Sequence, residues 1–256
     1  MIALITPTGG RIGQMQICAA LMKRQTYKGP VVWIIIDDCI PRSTDKILEN
    51  FRDNWIIIKA YPKPSWGPGL NTQGRNISVG INTLLKNYDE REIQGVFIIE
   101  DDDYYKPEYL EKMVPRLNGY QVAGETRTIY YNVYFRRWIT NANTAHASLF
   151  QVAFTPEAIP TFRMCYESKF IDAEFFKLMR GKGVNLFRDG NLAIGIKGMP
   201  GRAGIGAGHS RLMNMKADFD LHYLTQLIGK ENAKIYDRYF GGDRNIRQPL
   251  FNKKRY

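Results

Sequence analysis

Cysteine is scarce in this chain of 256 residues: Cys18, Cys39 and Cys165 are the three present. An odd number at wide spacing excludes a disulfide framework and a cysteine-based zinc site, and it points to reduced thiols in a cytoplasmic protein. No apolar stretch approaches the roughly 20 residues of a membrane span, and the N-terminus lacks the basic start and small-residue cleavage site of a signal peptide. No stable membrane insertion is therefore expected. Repeats, low-complexity tracts and Pro- or Ser-rich linkers are also missing, so a single domain over 1–256 is expected. Negative charge is under-represented, with 25 Asp plus Glu against 36 Lys plus Arg and a formal charge of +11. An excess of that size suggests a surface that meets a polyanion, such as nucleic acid or an anionic lipid headgroup.

The scarce carboxylates are concentrated. Val96-Phe97-Ile98-Ile99 runs directly into Glu100-Asp101-Asp102-Asp103, just before Tyr104, Tyr105 and Pro107. Four adjacent negative charges at the end of an apolar strand repel one another unless a cation or well-placed donors offset them. Carboxylate oxygens suit a hard divalent ion, Mg²⁺ or Mn²⁺, which binds through one or two carboxylates together with substrate phosphates. The alternative is a solvated acidic turn ahead of a helix opened by Pro107 and Glu108.

Apolar runs at 2–5, 31–36, 55–58 and 96–99 read as strands, and the intervening segments 13–25, 43–51 and 74–85 read as helices. Near-continuous apolar strands alternating with helices predict a parallel sheet covered on both faces, with ligands bound beyond the strands' carboxyl ends. Thr6-Pro7-Thr8, Asp37-Asp38 and the acidic cluster all fall at such ends. The long segment 61–74, with Trp66 and several Pro and Gly residues, is a functional loop at another. After Pro115 the alternation stops. Less regular, partly antiparallel strands are predicted over 120–138 and 148–154, and a helix over 172–179. Gly-punctuated strands follow through Ile196, then amphipathic segments over 213–228 and 232–240.

Four motifs in order carry a resemblance: Ile5-Thr6-Pro7-Thr8; Ile36-Asp37-Asp38 followed by Ser43-Thr44-Asp45; Gly74-Arg75-Asn76; and the acidic cluster followed by Pro107-Glu108-Tyr109-Leu110. Over about residues 2–115 the chain resembles a GT-A-type glycosyltransferase of the family-two-like branch. That resemblance implies an α/β fold with a Rossmann-like, mostly parallel central sheet flanked by helices, and a smaller mixed or antiparallel acceptor-side portion. Residues 1–115 would form the nucleotide-sugar half and 116–256 the acceptor half. It implies a metal-dependent transfer of sugar from a nucleotide diphosphate donor to a hydroxyl, with inversion first and retention as the open alternative, and a UDP-sugar as the commoner donor.

Carried over by position, Thr6, Pro7, Thr8 and Arg11 border the nucleotide, Asp37 and Asp38 hold base and ribose, and Arg75 and Asn76 reach base or phosphate. Cys39-Ile40-Pro41-Arg42 stands where the family has Gly-Ser. The family's DXD motif fits the cluster in two registers, Glu100/Asp102 with Asp103 flanking, or Asp101/Asp103. An extended strand makes these exclusive, because alternate residues point to opposite faces. The first register takes Glu100, Asp102 and Asp103 for the metal, with Asp102 the main ligand, and leaves Asp101 to the nucleotide sugar. Asp172 matches the inverting base, with Glu174 as the fallback and an N-terminal helix cap as the ordinary role for Asp172. His209, in a glycine-rich loop, matches histidines that meet metal or diphosphate.

Arg136, Arg137 and Trp138, in a stretch that interleaves aromatics with arginines, are acceptor-binding candidates together with Trp66. The +11 charge favours DNA as the acceptor, as in phage-type enzymes that modify hydroxymethylpyrimidines. A cell-envelope glycan or lipid-linked acceptor is the competing reading, and a binding module without turnover the third.

Overall fold

The computed structural model describes residues 1–256 apart from 43, 45–47, 49–50, 52–53, 68–69, 189, 203–213 and 241–256. Most of the expected helix over 43–51, His209 with its glycine-rich loop, and the basic tail Lys253-Lys254-Arg255 lie outside the described residues.

The apolar runs form β1 (Ile2–Thr8), β2 (Val31–Asp37), β3 (Trp55–Ala60) and β4 (Gly95–Ile98), hydrogen-bonded in parallel in the order β3-β2-β1-β4. Every residue of β2 is buried, as a strand covered on both faces requires. Alternate residues feed two separate apolar clusters. Leu4, Trp33 and Ile35 pack with Met15, Cys18 and Met22 of α1 (Ile12–Lys23), whereas Ile5, Ile34 and Ile36 pack with Ile77, Ile81 and Leu84 of α2 (Gln73–Asn87). Gly80 sets how closely α2 approaches, since a Cβ there would press to 2.7 Å on both Ile5 and Ile36.

Beyond β4 the sheet turns mixed. β9 (Val152–Phe154) runs antiparallel between β4 and β6 (Val122–Glu125), and β10 (Val184–Phe187) adds in parallel to β6, completing seven strands. A second sheet of five strands has the order β12 (Lys216–Ala217), β8 (Arg137–Ala142), β7 (Arg127–Asn132), β11 (Ala193–Lys197), β5 (Tyr104–Tyr105). The expected mostly parallel sheet with a mixed portion towards the C-terminal half is present. Because β5 starts right after Asp103, the acidic cluster sits where the chain leaves the first sheet and enters the second. One apolar cluster, from Ile2 to Tyr236, draws on both sheets.

Short helices α3 (Tyr109–Met113) and α4 (Ile159–Arg163) and the longer α5 (Ile171–Leu178) cover the first sheet's far half. Within the expected amphipathic segment 213–228, the described residues from 214 onward are helical only in part. Lys216–Ala217 pairs with β8, and helix begins only at α6 (His222–Ile228), because the Asp218 carboxylate accepts the N–H groups of Tyr223 at 2.8 Å and Leu224 at 3.0 Å. α7 (Lys230–Asp237) follows across Gly229, whose φ of 82° separates the two helices.

Candidate active site

Strand β4 ends at Ile98, and Asp101 and Asp102 lie in a turn whose Asp103 N–H returns to the Glu100 carbonyl at 3.4 Å. The extended-strand premise behind two exclusive registers therefore does not apply. Instead, Asp101 separates from the other three. Its Oδ2 accepts the Thr8 hydroxyl at 2.6 Å and its Oδ1 lies 3.1 Å from Arg11 Nη1, while Arg11 Nη2 lies 2.6 Å from Asp102 Oδ2. Arg11 reaches both because Gly10, at φ 65°, turns the chain between β1 and α1 and leaves Arg11 at the helix N-cap. Burial raises the Asp101 carboxyl to about 6 against the opposing pull of Arg11.

Glu100, Asp102 and Asp103 offer ligand atoms within 4.8 Å of one another. Glu100 accepts from Gln73 Nε2 at 2.8 Å. Asp103 is fully buried, and its Oδ1 takes the Ile196 N–H at 2.8 Å and Lys197 Nζ at 3.2 Å. Burial pushes Glu100 and Asp103 above the ordinary carboxylate range, with Lys197 opposing and the neighbouring carboxylates adding to the rise. Lys197 is itself buried, which alone would favour the neutral amine, but Asp103, Asp102 and Glu100 outweigh this and keep it charged. Asp103 Oδ2 has no hydrogen-bond partner among the described residues. Three converging hard oxygen donors, one orphaned and two repelling, fit a divalent ion of the Mg²⁺ or Mn²⁺ class.

Asp37 ends β2 and Asp38 follows it, both fully or nearly buried. Asp37 accepts the Cys39 N–H at 3.2 Å and the Thr44 hydroxyl at 3.3 Å, fixing the turn that replaces the family's Gly-Ser. Asp38 Oδ1 accepts from Arg202 Nη1, and Asp38 Oδ2 has no partner among the described residues. Thr8 joins the carboxylates, as described above. Pro7 continues β1 opposite Ile36, and Thr6 lies wholly buried, where it accepts the Trp33 indole N–H at 2.9 Å. Arg75 ties down the loop before α2 by donating to Ser65 and, at 2.8 Å, to the Lys63 carbonyl. Asn76 is buried with its Oδ1 unpartnered among the described residues. Trp66, in that loop, carries the Arg202 guanidinium 4.9 Å from its ring centroid.

Asp172 occupies the second residue of α5, and the N-cap position belongs to Phe170. Its Oδ1 accepts the adjacent Ala173 N–H at 2.9 Å, and burial raises its carboxyl above the usual range while His146 pulls the other way. Glu174 pairs with Lys177 at 3.2 Å along the same helix.

The aromatic-basic stretch divides. Arg136 donates to the Phe219 carbonyl and Asp237 and lies 3.9 Å over Phe240; Arg137 donates to the Met215 carbonyl at 3.2 Å. Trp138 stacks on Tyr223 at 3.7 Å. Residues paired across strands share a face, so Trp138, opposite Tyr131, which in turn lies opposite Ile196, is on the reverse face of the second sheet from Lys197. A cavity of about 510 Å³ lined by Arg127, Trp138, Thr140, Lys216 and Tyr223 lies beside this stack.

Three contributors escape sequence reasoning: Lys197, Gln73 and Arg202. Lys197 had a signal, since a charge ending the buried strand Ala193-Ile194-Gly195-Ile196 is the same pattern as Asp37 and the acidic cluster. Gln73 and Arg202 had none beyond their neighbours.

Residues 4–183, well over half of the chain, match the sequence model described as "Glycosyl transferase family 2". No curated protein matches the chain. Among solved structures, S. aureus TarS is similar, at 14% identity and TM-score 0.52 over 77% of this chain and 37% of that one. S. aureus TarS 1–349 in complex with UDP gives 14% identity, TM-score 0.52, 77% and 60% coverage. The same fragment in complex with UDP-GlcNAc gives 16%, 0.53, 78% and 59%. The chain thus spans less than two thirds of each of these proteins, and the likeness is one of fold. By the match of its sequence over residues 4–183, the chain belongs to glycosyl transferase family 2.

Proposed function

We propose that this protein transfers a sugar from a nucleoside diphosphate sugar, a UDP-sugar first, to a hydroxyl acceptor with inversion. The observation that carries the reading is the convergence of Glu100, Asp102 and Asp103 within 4.8 Å at the carboxyl end of a parallel strand, in a family-2 chain. The binding of UDP and UDP-GlcNAc by the structurally similar TarS fragment supports the uridine donor. Glu100, Asp102 and Asp103 would hold the Mg²⁺ or Mn²⁺. Bound there, the ion supplies positive charge against the departing diphosphate.

The chain's own residues do the rest. Asp101, fixed by Thr8 and Arg11, orients its neighbours and keeps Arg11 beside the diphosphate. Lys197 and Arg11 supply fixed positive charge to a buried cluster that carries four carboxyls. Asp38, with one oxygen unpartnered, accepts from base or ribose. Asp172 takes the proton from the acceptor hydroxyl as it attacks the sugar carbon, and its raised affinity for a proton matches that task.

For the acceptor, the formal charge of +11 supports a hydroxymethylated pyrimidine in DNA; the cavity beside Trp138 lies on the reverse face of the second sheet from Lys197 and does not add to that support. Arg136 and Arg137 are engaged within the protein and do not add to that support. The test is mass analysis of nucleosides from plain and 5-hydroxymethylated duplex DNA after incubation with UDP-sugars and Mn²⁺. A hexose mass on the modified duplex alone supports the reading; donor hydrolysis with unmodified DNA moves the acceptor to glycan or lipid-linked sugars.

A further inference from the structure

Arg202 joins two residues to which the sequence gives different ligands. Its guanidinium donates to Asp38, 164 positions away in the chain, and lies over the Trp66 ring at 4.9 Å. Asp38 is completely buried, with its second oxygen unpartnered among the described residues. Gly9 lies directly beneath this contact, where a Cβ would meet both Asp38 Oδ1 and Arg202 Nη1. The Arg202 side chain thus fills the space in front of Asp38 with an aromatic ring against it. A planar guanidinium held by a carboxylate and a ring uses the same recognition chemistry as a planar base whose N–H groups face that carboxylate. While the guanidinium holds Oδ1, that oxygen is closed to a base that would use both carboxylate oxygens.

We propose that Arg202 is an internal competitor for the nucleoside end of a nucleoside diphosphate, seated on Asp38 and Trp66 in the donor-free protein and displaced when the base enters. The inference rests on the nucleotide-sugar reading above and adds the residue that sets donor affinity. A competitor of this kind weakens apparent binding by the fraction of molecules in which it stands clear.

The experiment is calorimetric titration of UDP, GDP and phosphate-free uridine, each with Mn²⁺, into the wild type, Arg202→Ala and Arg202→Lys, with melting temperatures recorded to show that each is folded. Arg202→Ala is expected to bind UDP about fivefold tighter, and uridine by the same factor, because the competition is at the nucleoside end. Arg202→Lys falls between, since an ammonium keeps the charge but not the planar fork. Unchanged or weaker UDP binding by Arg202→Ala, with the wild type still binding, overturns the competitor alone. Failure of every protein to bind UDP or GDP overturns both the competitor and the nucleotide-sugar reading.

Discussion

Lys197 Nζ lies 3.2 Å from Asp103 Oδ1, joining the end of β11 to the acidic cluster across 94 positions of sequence. Both side chains are almost wholly buried, so this pair is far less screened than a surface ion pair. It supplies a resident positive charge where repulsion among the carboxyls is greatest.

Replacing Lys197 by Met leaves Arg11 alone to oppose that repulsion. The metal-free variant is expected to lose on the order of 3 kcal/mol of stability, the usual consequence of removing one partner of a buried pair. Mn²⁺ should then raise its melting temperature by more than it raises that of the wild type. Equal metal-induced shifts in the two proteins would show that Lys197 does not act on the cluster.

Asp102→Asn keeps the shape of the side chain but removes a charge between Arg11 and the ion. Turnover of the donor is expected to fall on the order of 10²- to 10³-fold, the scale of losing one strong electrostatic contribution. Metal-free UDP binding should be unaffected. Metal-dependent turnover near the wild-type value in this variant would remove Asp102 from the site.

How much of this was legible in the sequence depends on the kind of contact. The strands β1, β2 and β4 and their polar ends were legible because a parallel strand buried on both faces is written as a continuous apolar run, and the ligand side begins where polarity returns. The internal arrangement of the acidic cluster was not. Strand alternation fails once the chain turns after Ile98, and which carboxyls meet is decided by Thr8 and Arg11 on one side and Lys197 on the other. Arg202 reaches Asp38 through packing between distant segments, which no local pattern encodes. The amphipathic pattern over 213–228 did not mark where its helix begins, because that start is fixed by Asp218, four residues upstream of α6, which accepts the N–H groups of Tyr223 and Leu224.

Arg75 is expected to act through the loop it holds. Arg75→Ala releases Ser65 and the Lys63 carbonyl, and should raise the donor KM several-fold, about 1 kcal/mol for a lost hydrogen bond, with kcat nearly unchanged. A fall in kcat with constant KM would instead place the guanidinium at the reacting atoms.

The pH profile follows from Asp172. The base works ionised, and burial raises its proton affinity, so kcat/KM should fall with decreasing pH along a limb centred above the ordinary carboxylate value. His146 opposes that rise, so His146→Gln should move the limb to still higher pH. A limb that does not move, or moves down, would separate His146 from Asp172.

The central claim is metal-dependent sugar transfer from a nucleotide donor through the Glu100, Asp102, Asp103 site. The most direct measurement is release of UDP from a panel of UDP-sugars, with Mn²⁺ and with a chelator, by the wild type and Asp102→Ala. Release from at least one donor is expected, dependent on the metal and lost in the variant. Release that persists with chelator, or equal release by Asp102→Ala, would contradict the claim.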